Sequence, residues 1–128
     1  CARAIRGPLL IGGDSAGGGL ALAAAQALRD AGGPEPSGLL LLSPWVDQAL
    51  PEQAPEPPGE AMLSAAWGRA CGAAYRGGRP EADPVASPIR AALHGLPPVL
   101  IQVGTDELLH ADALRLHEAL VQAGVPVR

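Results

Sequence analysis

The sequence predicts an α/β fold, a mostly parallel sheet with flanking helices, on three observations. Short apolar runs take turns with stretches of helical period, in the order strand, helix, strand, long insertion, strand, helix and strand start. Leu39 to Leu42 is apolar without alternation, as a strand covered on both faces of a parallel sheet reads. Glycine or proline punctuates the end of nearly every run.

Pro8-Leu9-Leu10-Ile11 reads as a buried strand stopping at Gly12-Gly13. From Ala16 the period changes. Leu20, Ala24, Ala27, Leu28 and Ala31 recur at three- and four-residue steps, and Gly32-Gly33 closes this first helix. A second strand, Gly38 to Leu42, ends at Ser43-Pro44, because proline cannot donate to an inner ladder. Pro51, Pro55, Pro57 and Pro58 mark residues 48–59 as a loop. Leu63, Trp67, Ala70, Cys71 and Ala74 then mark one face of a second helix ending at Gly77-Gly78. After another loop, Val99 to Val103 is a third strand, stopped at Gly104. Leu109, Ala113, Leu116, Leu120 and Ala123 form the stripe of a last helix closed by Gly124, and Val125 to Arg128 opens a fourth strand. Each crossover is expected to be right-handed.

Composition narrows the function classes. The 128 residues suit one small domain, and 48% hydrophobic against 17% charged residues is the balance of a chain with a core. A formal charge of −4 with no basic stripe argues against nucleic acid as a partner. The longest weakly polar run, Ala16 to Leu28, falls short of the roughly 18 apolar residues that a membrane span needs. Cys1 and Cys71 make neither a disulfide framework nor a metal spacing, and Cys71 is expected as a small buried hydrophobe. The chain opens at Cys1 without a leader, so the compartment stays open, with the cytoplasm favoured.

Gly13-Asp14-Ser15-Ala16-Gly17 fits G-x-S-x-G, with a strand before it and a helix after it. A strand-to-helix reversal in so few residues forces Ser15 into a strained backbone and holds its hydroxyl above the sheet. The Ala16 N–H, at the helix start, points at a developing oxyanion with the helix dipole behind it. The bland alternative is a glycine-rich turn in which Ser15 merely caps the helix. A dinucleotide fingerprint finds no glycines at its spacing, and a phosphate-binding Walker loop needs a lysine that the chain lacks. A trypsin-like Gly-Asp-Ser needs a histidine upstream, and none is there.

Asp106 lies just past the end of a strand, where open α/β sheets place their sites, and follows Ser15 in Ser…Asp/Glu…His order. Its alternative is that Asp106, or Thr105, caps the last helix; Glu107 is the next best acid. His110 and His117 fall within that helix and His94 in a loop before it, so no catalytic base is visible. Asp14 is expected to orient the elbow, Trp45 and Trp67 to pack, and Arg3, Arg6, Arg76 and Arg79 to be solvated.

Four ordered motifs carry a family resemblance over nearly the whole chain. They are Gly12-Gly13-Asp14-Ser15-Ala16-Gly17-Gly18, Leu42-Ser43-Pro44-Trp45-Val46-Asp47, Asp83-Pro84-Val85-Ala86-Ser87-Pro88, and Leu96-Pro97-Pro98 with Val103-Gly104-Thr105-Asp106-Glu107-Leu108. Together they resemble the hormone-sensitive-lipase-like branch of the α/β-hydrolases, the GDSAG-type esterases and lipases. The resemblance implies a partial α/β-hydrolase fold truncated at both ends. It divides the chain into a nucleophile elbow (8–31), an inter-strand insertion (about 48–97) and an acid-bearing strand and helix (98–124).

It also implies Ser15 as nucleophile, Asp106 as triad acid and the Ala16 N–H as one oxyanion donor. The substrate would be a small acyl ester of short or medium chain, with no cofactor and no metal. The family's base histidine and its upstream His-Gly-Gly-type loop are absent here, so the segment alone is expected to be inactive while the longer parent hydrolyses esters. The alternative is a non-catalytic ligand-binding relative, for which plant gibberellin receptors are the precedent. Oligomeric state is not legible.

Overall fold

The computed structural model of the chain describes residues 7–50 and 56–128. Their order is β1 (Leu10–Asp14), α1 (Ala16–Asp30), β2 (Gly38–Leu42), α2 (Ala65–Arg76), a short 3-10 helix (Pro88–Arg90), β3 (Val99–Gln102) and α3 (His110–Gln122). The strands form a parallel sheet in the order β1-β2-β3, with Gly12 opposite Leu40 and Leu40 opposite Leu100. Val127 bridges Val99 in parallel, so the terminal run extends the sheet beyond β3 as expected of a fourth strand. Three glycine stops hold: Gly32, Gly77 and Gly124 all sit at positive φ just past α1, α2 and α3.

β1 does not stop at Gly12-Gly13. It runs through both glycines to Asp14, directly below Ser15. The reason is a close approach. A β-carbon on Gly13 would fall onto the Gly17 carbonyl, and one on Gly19 onto the Trp45 carbonyl, so glycine lets α1 start against the strand tips. Gly17, the glycine that closes the pentapeptide, faces open space instead. Gly13→Ala is therefore expected to destabilise by roughly 3 kcal/mol, at the upper end of overpacking costs, because helix backbone rather than a side chain must move. Chemical denaturation of the full-length protein measures it; Gly17→Ala serves as the mild control.

One core unites α1, the sheet and α3. Ala21, Leu22 and Ala25 of α1 meet Leu39 and Leu41 of β2 and Leu116 and Leu120 of α3. This corrects three expectations. The first concerns the face of α1: Leu20 is 61% exposed and Ala27 and Ala31 are exposed, while Gly18, Ala21, Leu22, Ala25 and Gln26 are buried. In so alanine-rich a helix nearly every position is apolar, so three- and four-residue counting fits several faces. The second concerns α2, which buries Ala65, Gly68 and Gly72 and leaves Trp67 55% exposed. There the small residues let the helix lie close to the segment after β2.

The third correction concerns the sheet. Both long helices of the core pack on the face bearing Leu39 and Leu41, and Leu10, Leu40 and Leu100 on the other face are 72%, 41% and 50% exposed. Among the described residues, the sheet is covered on one side only. The stripe predicted for α3 holds at Leu109, Ala113, Leu116 and Leu120, all buried.

Candidate active site

Ser15 is the hinge between β1 and α1. Its backbone has φ 54 and ψ −120, a left-handed conformation that costs a residue with a β-carbon on the order of 1–3 kcal/mol. Hydrogen bonds on both sides hold it there. The Ser15 N–H donates to the Leu42 carbonyl at 2.9 Å, and the Ser15 carbonyl accepts from Trp45 N–H at 3.0 Å and Gly18 N–H at 2.9 Å. Ser15 occupies the cap position of α1, but its hydroxyl makes no capping hydrogen bond. Ala16 is the first helical residue, and its N–H has no carbonyl one turn earlier within the helix to meet.

Ser15 and Asp106 open onto one cleft of about 470 Å³ at the carboxyl ends of the strands. Asp14, Ser43, Thr105 and Glu107 share its walls, and residues 59–63 close one side. Asp106 is exposed in the loop after β3, with Gly59 so near that a β-carbon there would come within 2.7 Å of the Asp106 β-carbon. Leu109 occupies the cap position of α3 and makes no side-chain cap bond, so neither Thr105 nor Asp106 caps that helix. The Glu107 carboxylate accepts from Gly104 N–H at 2.7 Å and shapes the turn.

No histidine among the described residues lines this cleft. His110 is the first residue of α3 and His117 lies further along it, so both stay where the sequence placed them.

Glu60 is a site residue that sequence reasoning missed, because nothing in a proline-rich loop announces it. One carboxylate oxygen accepts from the Met62 and Leu63 N–H groups at 2.8 and 2.9 Å, the other from Leu108 N–H at 2.7 Å. The Leu108 bond above all, with those of Met62 and Leu63, holds the carboxyl below its ordinary range. Glu60 thereby pins the wall of the cleft to the loop that carries Asp106.

A second cavity, apolar and about 250 Å³, lies on the other side of the α1 N-terminus, lined by Ala16, Leu20, Trp45, Trp67, Cys71 and Tyr75 among others. Trp45 is buried as a packing residue, whereas Trp67 stands half exposed at the cavity and is not one. Cys71 is only partly buried. Arg76 is also not simply solvated: it donates to the Gln48 carbonyl at 3.0 Å. Arg79, 55% exposed, fits the expectation, while Arg3 and Arg6 lie outside the described residues. Among the described residues no three His, Cys, Asp or Glu side chains cluster as metal ligands do, and no helix is long and apolar enough to cross a membrane.

A parallel sheet, a strained serine at the first strand-to-helix turn and an acid beyond a later strand define the α/β-hydrolase class of site. Residues 3–128 match the family described as alpha/beta hydrolase fold, and the chain belongs to it, within the hormone-sensitive-lipase-like branch. An acetyl-hydrolase of Streptomyces hygroscopicus is 46% identical over 123 residues, 94% of this chain and 41% of that protein. A triacylglycerol lipase of Mycobacterium tuberculosis is 39% identical over 114 residues, 89% of this chain and 22% of that protein. Among solved structures, an esterase from the bacterial hormone-sensitive lipase family superposes with a TM-score of 0.86 at 39% identity, over 93% of this chain and 41% of that one. The chain thus spans about two-fifths of the length of the acetyl-hydrolase and of that esterase.

Proposed function

We propose that this chain carries the nucleophile and the acid of a serine carboxylic-ester hydrolase working through an acyl-enzyme. Ser15 Oγ attacks the ester carbonyl carbon and passes its proton to a histidine, which returns a proton to the departing alcohol. Asp106 orients that histidine and balances its charge. The Ala16 N–H donates to the carbonyl oxygen as negative charge builds there, aided by the start of α1. Water then attacks the acyl-serine, releasing the acid and restoring Ser15. Neither His94, His110 nor His117 is the base; it comes from outside the segment and enters the cleft between Ser15 and Asp106, as does an upstream loop with further oxyanion donors.

The observation that carries this reading is the strained, uncapped Ser15 sharing one cleft with Asp106 at the carboxyl ends of parallel strands. A short or medium acyl chain suits the apolar cavity beside Ala16. No cofactor takes part in this scheme.

The test is covalent. The full-length protein is expected to hydrolyse p-nitrophenyl esters and to form a fluorophosphonate adduct that mass spectrometry places on Ser15. An adduct on Ser43, Ser64 or Ser87 overturns the assignment. The 128 residues by themselves are expected to turn over no ester, since loss of a triad histidine alone costs about 10⁶ in kcat. Saturable ligand binding by the full-length protein without hydrolysis would instead mark a receptor-like relative.

A further inference from the structure

Two motifs outside the elbow take no part in the chemistry, yet they meet behind it. Trp45, whose N–H holds the Ser15 carbonyl, also donates its indole Nε1–H to the Asp47 carbonyl at 2.8 Å. Gln48 N–H donates to Ser87 Oγ at 2.8 Å, and that buried hydroxyl donates to the Glu81 carbonyl at 2.8 Å. Ile89 N–H donates to the Val46 carbonyl at 3.3 Å, and Gln26 of α1 donates to the Pro88 carbonyl at 2.9 Å. Residues 81–90 thus form a plate against which residues 45–48 are set.

At the centre of this plate stands the Asp47 carboxylate, with its side chain 2% exposed. One oxygen accepts from Ala49 N–H at 3.1 Å and Arg90 Nε at 3.3 Å. The other accepts from Arg90 and from Arg115 of α3, each at 3.0 Å. Arg115 also donates to Asp112 at 2.8 Å. Burial pushes the Asp47 carboxyl up, but the Ala49 N–H and the two arginines outweigh it and hold it below the ordinary carboxylate range. Such a group is stable only when fully partnered, so its partners are fixed relative to one another.

We infer that Asp47 is a positioning residue, which ties the segment holding Ser15 to the helix that follows Asp106 and so sets the two reactive groups at working distance. The inference rests on the roles proposed above for Ser15 and Asp106. Arg115 lies in the second turn of α3, and α3 starts at His110, so any shift of that helix is passed to the short loop bearing Asp106. A misplacement of about 1 Å can cost up to roughly 100-fold in rate, so a tether of this kind acts on kcat without touching substrate.

The test uses the full-length protein, with competent serines counted by stoichiometric fluorophosphonate labelling. Asp47→Asn is expected to lower kcat per labelled serine by roughly tenfold to a hundredfold and leave KM for p-nitrophenyl acetate unchanged. Arg115→Gln, at a half-exposed side chain, is expected to lower it in the same direction without loss of folded protein, and Arg115→Lys to restore most of it. The double variant is expected to be no worse than Asp47→Asn alone, because the Arg115 contact that carries the effect is among those Asp47→Asn already weakens. Wild-type kcat per labelled serine in Arg115→Gln, with only the melting temperature lowered, overturns the inference and leaves a stabilising ion pair; additive losses overturn it as well. Should Asp47→Asn fail to fold, Arg115→Gln decides alone. Labelling at a serine other than Ser15 is a different failure, that of the site assignment itself.

Discussion

Ser15→Ala is expected to lower kcat of the full-length protein by about 10⁶-fold, the loss that follows removal of a triad nucleophile, the role proposed for Ser15. The variant is expected to keep the fold, because alanine retains the β-carbon and the backbone bonds to Leu42, Trp45 and Gly18 do not involve the hydroxyl. It also keeps the strain, since φ stays positive. Ser15→Gly is therefore the sharper comparison. Glycine adopts φ 54 at no steric cost, so Ser15→Gly is expected to be more stable than Ser15→Ala by about 1 kcal/mol, the strain relieved less the extra entropy of the unfolded chain. Circular dichroism and denaturant midpoints measure one half of the expectation, and labelled-site turnover the other. Equal stability of the two variants would show that the strain stored in the elbow is no larger than the entropy that glycine adds to the unfolded chain.

Asp106→Asn is expected to cost about 10⁴-fold in kcat with little change in stability, because an amide orients the histidine in the wrong tautomer and cannot balance its charge. Exposure of Asp106 in its loop makes the substitution cheap for the fold. Glu107→Gln is the paired control. Its carbonyl can still accept from Gly104 N–H, so the turn survives and kcat is expected to stay close to that of the parent. If the large loss falls on Glu107→Gln and spares Asp106→Asn, the acid is Glu107.

Much of this candidate site is legible in the sequence because its parts are local. Ser15 and its glycines lie within one turn of chain, and a strand followed by a helix is written in period alone. The candidate acid Asp106 is picked out by the same logic, one loop beyond a strand, and it lines the same cleft as Ser15. The faces of α1 and α2 were not legible, because alanine and glycine look alike on every side of a helix and only the neighbours decide which side is inward. Glu60 was hidden for a related reason: its bond to Leu108 spans 48 residues. The contacts from Asp47 to Arg90 and Arg115 span 43 and 68, and no period or motif records such a meeting.

The close approach of α1 to the strand tips carries a lesson for engineering. With no room for a side chain at Gly13 or Gly19, those two positions are expected to tolerate almost no substitution, and random mutagenesis at them to yield mostly destabilised protein. Leu20, Trp67, Cys71 and Tyr75 stand at the neighbouring cavity with their outer surfaces partly free, so their replacement leaves that turn alone. If that cavity takes the acyl chain, as proposed, a library meant to alter acyl preference belongs at those four positions.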